Sequence, residues 1–243
     1  MEQFKIKCAD MIFEIHCKYE FSKEYCSKYI IDDAHKADLI IAPGTEDLRE
    51  MKNVLPAEAD DYIEFLTIYL MLSRQISRFN SAFMHAAAIS IDGQGVAFTA
   101  PSGTGKSTHI VQWRKLFGDR VVAINGDKPL LTARDNKIYI SGTPWCGKER
   151  WSSNVSVPLK AICFLERGKE NVIEPLDKKY VLSQIINALS MPKVGSDDMG
   201  NMFEFLNSLI DTVEFYVLKC NISTDAAEVA YDGIFKSEEE NES

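Results

Sequence analysis

A glycine-rich loop between a predicted strand and a predicted helix constrains the fold of this chain more than any other feature. Residues 100–107 read Ala-Pro-Ser-Gly-Thr-Gly-Lys-Ser and fit the P-loop pattern, with alanine in place of its first glycine. Apolar residues predict a strand over 96–99 that enters the loop, and a helix over 107–117 leaves it and ends at Gly118. This order of elements is typical of an α/β fold that binds an anion at a helix N-terminus.

The residue types of the loop match the chemistry of a nucleotide's phosphates. Gly103 and Gly105 let backbone N–H groups wrap an anion, Lys106 reaches the β- and γ-phosphates, and the Ser107 hydroxyl ligates Mg²⁺. An ordinary glycine turn before a helix would not require lysine and serine at these two places. The loop therefore predicts ATP and Mg²⁺ as cofactors. The predicted cofactor-binding residues are Pro101, Ser102, Gly103, Thr104, Gly105, Lys106, Ser107 and Thr108.

Composition and charge narrow the class of protein. The chain has 243 residues, of which 46% are hydrophobic and 26% charged, enough for one α/β domain or a main domain with a small appendage. Its formal net charge is −9, and no run of Lys and Arg occurs. Binding to a nucleic-acid backbone needs a concentrated basic face, so no nucleic-acid partner is expected. An acceptor with a basic patch would suit this charge better.

Cysteine usage and hydropathy predict a cytoplasmic protein. The six cysteines form no CxxC pair, so we expect free thiols in a reducing compartment rather than zinc ligands or disulfides. The first residues lack the apolar segment of a signal peptide. The most apolar stretch, 63–72, is interrupted by Glu64 and is too short to span a bilayer, so no membrane partner is expected.

The apolar pattern divides the chain into three parts. Residues 1–80 read as a strand-rich portion followed by a helix over 57–79, and 81–236 as the P-loop domain. The acidic residues 237–243 read as a disordered tail. Within the P-loop domain we predict strands 83–91, 96–99, 120–125, 130–133, 137–140, 161–165 and 215–219, and helices 107–117, 177–190, 197–210 and 224–235.

Asp127 is the first candidate for a catalytic or metal-binding carboxylate. It follows the strand that comes after the P-loop helix, and α/β sheets bind ligands at the carboxyl ends of their strands. Asp127 could ligate Mg²⁺ or accept the proton of an acceptor hydroxyl as a general base. The alternative is an ordinary Gly-Asp turn that leads into the hairpin over 130–140.

The loop 143–150 is a second candidate for the site. It combines a rigid Pro-Trp pair with Lys148, Glu149 and Arg150, and Arg150 could stabilise charge on a transferred phosphoryl group as a catalytic residue. The alternative is a surface turn with Trp145 in the core.

Four segments together resemble the HPr kinase/phosphorylase-like P-loop family, whose nucleotide fold is similar to that of phosphoenolpyruvate carboxykinase. They are His85, the loop 101–108, Asn125-Gly-Asp127 and the loop 142–147, and the resemblance covers about 82–170 well. It implies a mixed sheet with flanking helices and an ATP-dependent serine kinase of the smaller, stand-alone type, acting on a peptide or protein. Because HPr-type relatives assemble, it also implies a homo-oligomer.

The resemblance implies roles for single residues. Lys106 and Ser107 would bind phosphate and Mg²⁺, Asp127 would take the acid/base or metal role, and His85 would lie near the transferred phosphate. His85 also fits a structural role, since it lies in an apolar predicted strand. The family carries two adjacent aspartates where this chain has Gly126 and Asp127. Asp127 therefore acts alone, or the protein is a nucleotide-binding accessory module with weak catalysis; a small-molecule kinase shares the same loop.

Overall fold

A computed structural model of the protein describes residues 2–32, 34–192 and 198–236. It confirms a mixed α/β fold built on two sheets. The predicted tail, 237–243, lies outside the described residues. The strands are β1 (Glu2–Cys8), β2 (Met11–Cys17), β3 (Ile30–Ile31), β4 (Leu39–Ile41), β5 (Ser81–Phe83), β6 (Ala86–Ile91), β7 (Gln94–Thr99), β8 (Val121–Asn125), β9 (Leu130–Arg134), β10 (Lys137–Ser141), β11 (Ser156–Arg167), β12 (Val172–Pro175) and β13 (Glu214–Cys220). The helices are α1 (Glu20–Tyr25), α2 (Thr45–Val54), α3 (Asp60–Ser73), α4 (Lys106–Phe117), α5 (Lys178–Ile185), α6 (Asp198–Thr212) and α7 (Asp225–Tyr231).

Strand β11 organises the nine-stranded sheet. Its first residues pair antiparallel with β10, and its later residues pair parallel with both β7 and β13. The strand order is β5-β9-β10-β11-β7-β6-β8, and β12 joins through β13. Most residues of β6, β7 and the second half of β11 are buried, so helices cover both faces there, as continuous apolar strands require.

The register of β6, β7 and β8 brings three chain segments to one edge of this sheet. β6 runs antiparallel to both neighbours and pairs Ala86 with Thr99 of β7 and Ala88 with Asn125 of β8. The start of β6 therefore lies beside the ends of β7 and β8. The residues before β6, after β7 and after β8 converge here, and those segments contain the predicted site.

The four-stranded sheet, in the order β3-β1-β2-β4, packs against α3 and the loop after β10. Both Glu64 carboxylate oxygens accept backbone hydrogen bonds, from the N–H groups of Lys18 (2.7 Å) and Tyr19 (2.9 Å). Glu64 is buried, and these two bonds satisfy its charge and fix α3 to the segment after β2. Trp145, in the loop after β10, is part of the same core.

Several element boundaries differ from the sequence prediction. The predicted strand 83–91 is interrupted at Met84 and His85, because the His85 N–H bonds to Ala188 O (2.6 Å) and the Ala86 N–H to Asp127 O (3.0 Å) as the chain changes partners. The helix predicted over 177–190 ends at Ile185, and beyond it Leu189 forms an isolated antiparallel bridge with Met84. The helix predicted over 57–79 ends at Ser73, before a 3-10 turn. Helices α1 and α2 and strand β12 were not predicted.

The structure gives the state of the cysteines and the character of the helices in the part of the chain that it describes. All six cysteines are free thiols, and five are buried. Among the described residues, no helix has the length and apolar character needed to cross a membrane. No cluster of three or more His, Cys, Asp or Glu side chains with metal-binding geometry occurs in that part of the chain.

His109 makes the helix after the P-loop sensitive to acid. Its Nε2 accepts a hydrogen bond from Trp113 Nε1 (2.9 Å), and its ring lies against Phe98 with the ring centroids 4.5 Å apart. The bond needs the neutral imidazole, because a protonated Nε2 cannot accept a hydrogen bond. Burial lowers the pKa of His109 to about 4, because the charged form would lose its hydration.

We expect the unfolding free energy of the protein to fall by about 2–3 kcal/mol, because of His109, when the pH is lowered from about 7.5 to about 4.5. The pKa of His109 in the folded protein lies below the unfolded value of about 6.5, so the unfolded chain takes up the proton first. The stability of the protein therefore falls as the pH is lowered through this window. Urea unfolding of wild type and His109→Gln at both pH values measures the effect, because glutamine stays neutral. The variant should lose that much less stability on acidification. Equal losses in the two proteins would contradict the assignment.

Candidate functional site

The P-loop joins the end of β7 to the start of α4, as the sequence predicts for residues 100–107. Gly103 has φ +77° and Gly105 has φ +122°, conformations that residues with a side chain rarely adopt. No heavy atom lies within 4 Å of a Cβ built at either glycine, so the backbone conformation rather than crowding requires them. Helix α4 begins at Lys106, and its first N–H groups have no partner within the helix. The loop thus presents donors to an anion.

Lys106 folds back on the loop. Its Nζ donates a hydrogen bond to Ala100 O (2.9 Å), and the residue is buried. Burial lowers the pKa of Lys106, while the charge of Asp127 opposes that shift. The ammonium group therefore lies within the electrostatic reach of Asp127, across the sheet edge where the two segments meet.

Asp127 lies between two cationic or proton-donating groups. Its Oδ1 is 3.2 Å from His85 Nε2 and 3.5 Å from Lys128 Nζ. Burial favours the neutral acid, but the hydrogen bond from His85 and the charge of Lys128 outweigh burial, so the pKa of Asp127 lies below its ordinary value. Asp127 is thus a carboxylate at neutral pH, with 35% of its side chain still exposed.

Asn125, which is fully buried, fixes the turn that carries Asp127. Its Oδ1 accepts hydrogen bonds from the N–H groups of Asp127 (2.8 Å) and Lys128 (2.7 Å). Its Nδ2 donates to the carbonyl and hydroxyl oxygens of Thr143 (3.0 and 3.1 Å). The Thr143 hydroxyl donates to Lys128 O (2.7 Å). One buried amide therefore connects the end of β8 to the loop after β10.

Gly126 is required by the close approach of that loop. A Cβ built at Gly126 would lie 2.5 Å from Cys146 O, and the Gly126 N–H bonds to Trp151 O (2.9 Å). The loop carbonyl occupies the space into which a side chain at Gly126 would extend. The chain could not carry a second aspartate here without moving the loop.

The loop 143–150 divides between core and surface. Trp145 is buried, and its Nε1 donates a hydrogen bond to Phe65 O (3.1 Å). For this residue the structure agrees with the alternative interpretation, in which Trp145 belongs to the core. Arg150 lies on Tyr25, with 4.3 Å from the guanidinium carbon to the ring centroid and a 2.9 Å bond from its Nη2 to the hydroxyl. These contacts place Arg150 against α1, and its catalytic role stays a prediction.

Arg167 is a site residue that sequence reasoning missed. It ends β11, and its Nη2 donates to Gly103 O (2.6 Å). It lines two cavities that flank the P-loop, of about 630 Å³ and about 380 Å³. The larger cavity is lined by Thr99–Thr104, Phe164–Arg167 and Gln184. The only signal in the sequence was its place at the end of a strand in the same sheet.

We expect Arg167→Ala to weaken ATP binding by about tenfold, equal to about 1.4 kcal/mol for one charge-assisted hydrogen bond that orders the loop. Titration with a fluorescent ATP analogue measures the dissociation constant. Arg114→Ala, which removes an exposed arginine from α4, is the control and should leave it unchanged. The same affinity in wild type and Arg167→Ala would show that the contact does not support the loop.

The oxygen donors that this edge offers to Mg²⁺ are the Ser107 hydroxyl and the Asp127 carboxylate. Mg²⁺ bound to nucleotides commonly takes one or two protein oxygens and completes its shell with phosphates and water. The partly exposed carboxylate and the hydroxyl in the first turn of α4 fit that donor set. Both metal roles stay predictions.

Comparison with known proteins gives a family match and weak similarity to solved structures. Residues 53–230, more than half of the chain, match the model of a family described as SynChlorMet cassette protein ScmC. No curated protein matches the sequence. The HPr(Ser) kinase/phosphatase from Coxiella burnetii is similar to this chain with a TM-score of 0.39 and 12% identity, over 64% of this chain and 98% of that chain. The family match shows that the chain belongs to the SynChlorMet cassette protein ScmC family.

Proposed function

We propose that this protein transfers the γ-phosphoryl group of ATP, with Mg²⁺, to a hydroxyl group, and that the acceptor is a serine of a peptide or protein. The observation that carries the proposal is the position of Asp127. Its ionised and partly exposed carboxylate lies at the same sheet edge as the P-loop, and its charge acts on Lys106. A phosphate-binding loop facing a carboxylate is the pair of groups that phosphoryl transfer needs.

Each residue of the edge has a role in this proposal. The loop N–H groups and Lys106 hold the phosphates and stabilise the charge that develops on the transferred group. Asp127 accepts the proton of the acceptor hydroxyl, and the hydrogen bond from His85 holds the carboxylate in one orientation. Ser107 and Asp127 would hold Mg²⁺, which would supply positive charge against the phosphates.

A nucleotide-binding accessory module is the second candidate function. Gly126 favours it, because the loop carbonyl of Cys146 stands where a second carboxylate would be needed. Such a module would bind ATP as tightly as a kinase does and would transfer no phosphate.

The proposal is tested by incubating the protein with γ-labelled ATP, Mg²⁺ and a pool of serine-containing peptides. We expect label on peptides with wild type and none with Lys106→Ala, since the lysine stabilises the transferred group. Saturable ATP binding without label on any peptide would reject phosphoryl transfer to peptides and favour the accessory module.

A further inference from the structure

A cavity of about 620 Å³ opens next to Asp127, on the side of α1 and α3. Asp127 and Lys128 line it together with residues of the two helices and the loop after β10. It shares no lining residue with the two cavities that flank the P-loop. Its aromatic lining residues are Phe21, Tyr25, Tyr62, Phe65, Tyr69 and Trp145. We call it the aromatic cavity.

The wall of the aromatic cavity is held in place by its own packing. Phe65 stacks on Trp145 with ring centroids 5.7 Å apart, and Phe21 stacks on Tyr25 at 4.4 Å. The hydrogen bond from Trp145 Nε1 to Phe65 O joins the loop to α3. A wall already ordered in the free protein loses little entropy when an apolar group enters it.

Asp127 connects the aromatic cavity to the phosphate side. Burial raises the pKa of Tyr69, and the charge of Asp127 raises it further, so the tyrosine lies within the reach of the carboxylate. The same charge acts on Lys106 of the P-loop. Because the aromatic cavity shares no lining residue with the two cavities that flank the P-loop, a nucleotide and an acceptor would not compete for the same space beside Asp127.

We infer that the aromatic cavity is the acceptor site and that it selects peptides in which a large apolar or aromatic side chain adjoins the serine. This inference rests on the proposed function and adds the acceptor class to it. The apolar side chain fills the cavity and places the neighbouring hydroxyl at Asp127. The rim carries charges of both signs, from Glu58, Asp61 and Lys148, and suits a polar, uncharged peptide backbone.

In the transfer step, the serine oxygen forms a bond to the γ-phosphorus, and the bond between that phosphorus and the β–γ bridging oxygen breaks. Asp127 takes the hydroxyl proton, and ADP leaves with the bond electrons. The apolar side chain makes no bond in this step and acts only by positioning the serine.

The test compares two peptides of equal length that differ only beside a central serine, one with phenylalanine and one with glutamine. Binding is measured by calorimetry with the protein saturated by a non-hydrolysable ATP analogue and Mg²⁺. We expect the phenylalanine peptide to bind at least about tenfold more tightly, since the buried ring leaves water. Equal affinities for wild type would overturn the inference.

Matched tyrosine variants locate the selectivity. Tyr62→Ala removes part of the wall and should reduce the preference to less than about twofold. Tyr180→Ala, on the exposed surface of α5, should keep the wild-type preference. Leu66→Gln also changes the lining of the cavity and replaces Tyr62→Ala in the test if that variant is unstable. Binding of the ATP analogue shows whether each variant is folded. A preference that survives both lining changes would overturn the inference.

Label transfer from ATP is scored in the same samples and separates the two claims. Preferential binding without transfer would reject the kinase proposal and leave the aromatic cavity as a peptide site. Transfer to both peptides at equal affinity would support the kinase and reject the cavity as its selector.

Discussion

Asp127→Asn is expected to lower phosphoryl transfer by about 10²–10⁴-fold, the usual contribution of a positioned general base. Asparagine keeps the shape of the side chain and the backbone bonds to Asn125, but it cannot accept the hydroxyl proton. Binding of ATP measured without Mg²⁺ should change little, because the P-loop and Lys106 remain. The measurement is the initial rate of label transfer from γ-labelled ATP at saturating nucleotide.

Asp119→Asn is the matched control for that variant. Asp119 is an exposed aspartate in the short turn after α4, outside the described site, and its replacement should leave the rate unchanged. A transfer rate in Asp127→Asn within about twofold of wild type would remove Asp127 from proton transfer, because a general base contributes far more than that.

Gly126→Asp is expected to destabilise the protein by about 4 kcal/mol rather than to restore a lost carboxylate. Its Cβ would meet Cys146 O at 2.5 Å, and a charged group would enter a buried position. Relief requires a shift of the loop that carries Thr143, and this loop holds the turn around Asp127. We therefore expect transfer to fall together with stability. Urea unfolding and label transfer measure the two effects.

Gly200→Ala is the control for this variant. A Cβ built at Gly200 meets no atom within 4 Å, and the residue lies inside α6, where alanine favours the helix. That change should be neutral or slightly stabilising. A Gly126→Asp protein that is as stable as wild type and transfers phosphate faster would mean that the loop can move aside, and it would favour the accessory-module interpretation of the natural chain.

Much of the fold follows from local sequence signals. The P-loop, the strand before it and the helix after it are set by neighbouring residues, so the pattern of glycine, lysine and apolar residues predicts them. The position of Asp127 at the sheet edge follows from strand direction alone. The α/β class follows from the same local signals, the mixed sheet was implied by the family resemblance, and both are confirmed.

The remaining features depend on contacts between distant residues. The break at His85 arises because its backbone pairs with Ala188, about a hundred residues later, and no local pattern encodes that pairing. From the sequence alone, Gly126 is interpreted as a lost carboxylate. The position of the Cys146 carbonyl shows that no side chain fits there. Arg167 is an exposed arginine at the end of a strand. Exposed charged residues are common at such positions, so its sequence context does not mark it as a site residue.

A crystal structure with a non-hydrolysable ATP analogue and Mg²⁺ tests the central claim most directly. We expect the phosphates to lie in the loop 100–108, Lys106 Nζ to leave Ala100 O and contact them, and the γ-phosphate to face Asp127. A nucleotide bound away from this loop, or a γ-phosphate directed away from Asp127, would contradict the proposed site.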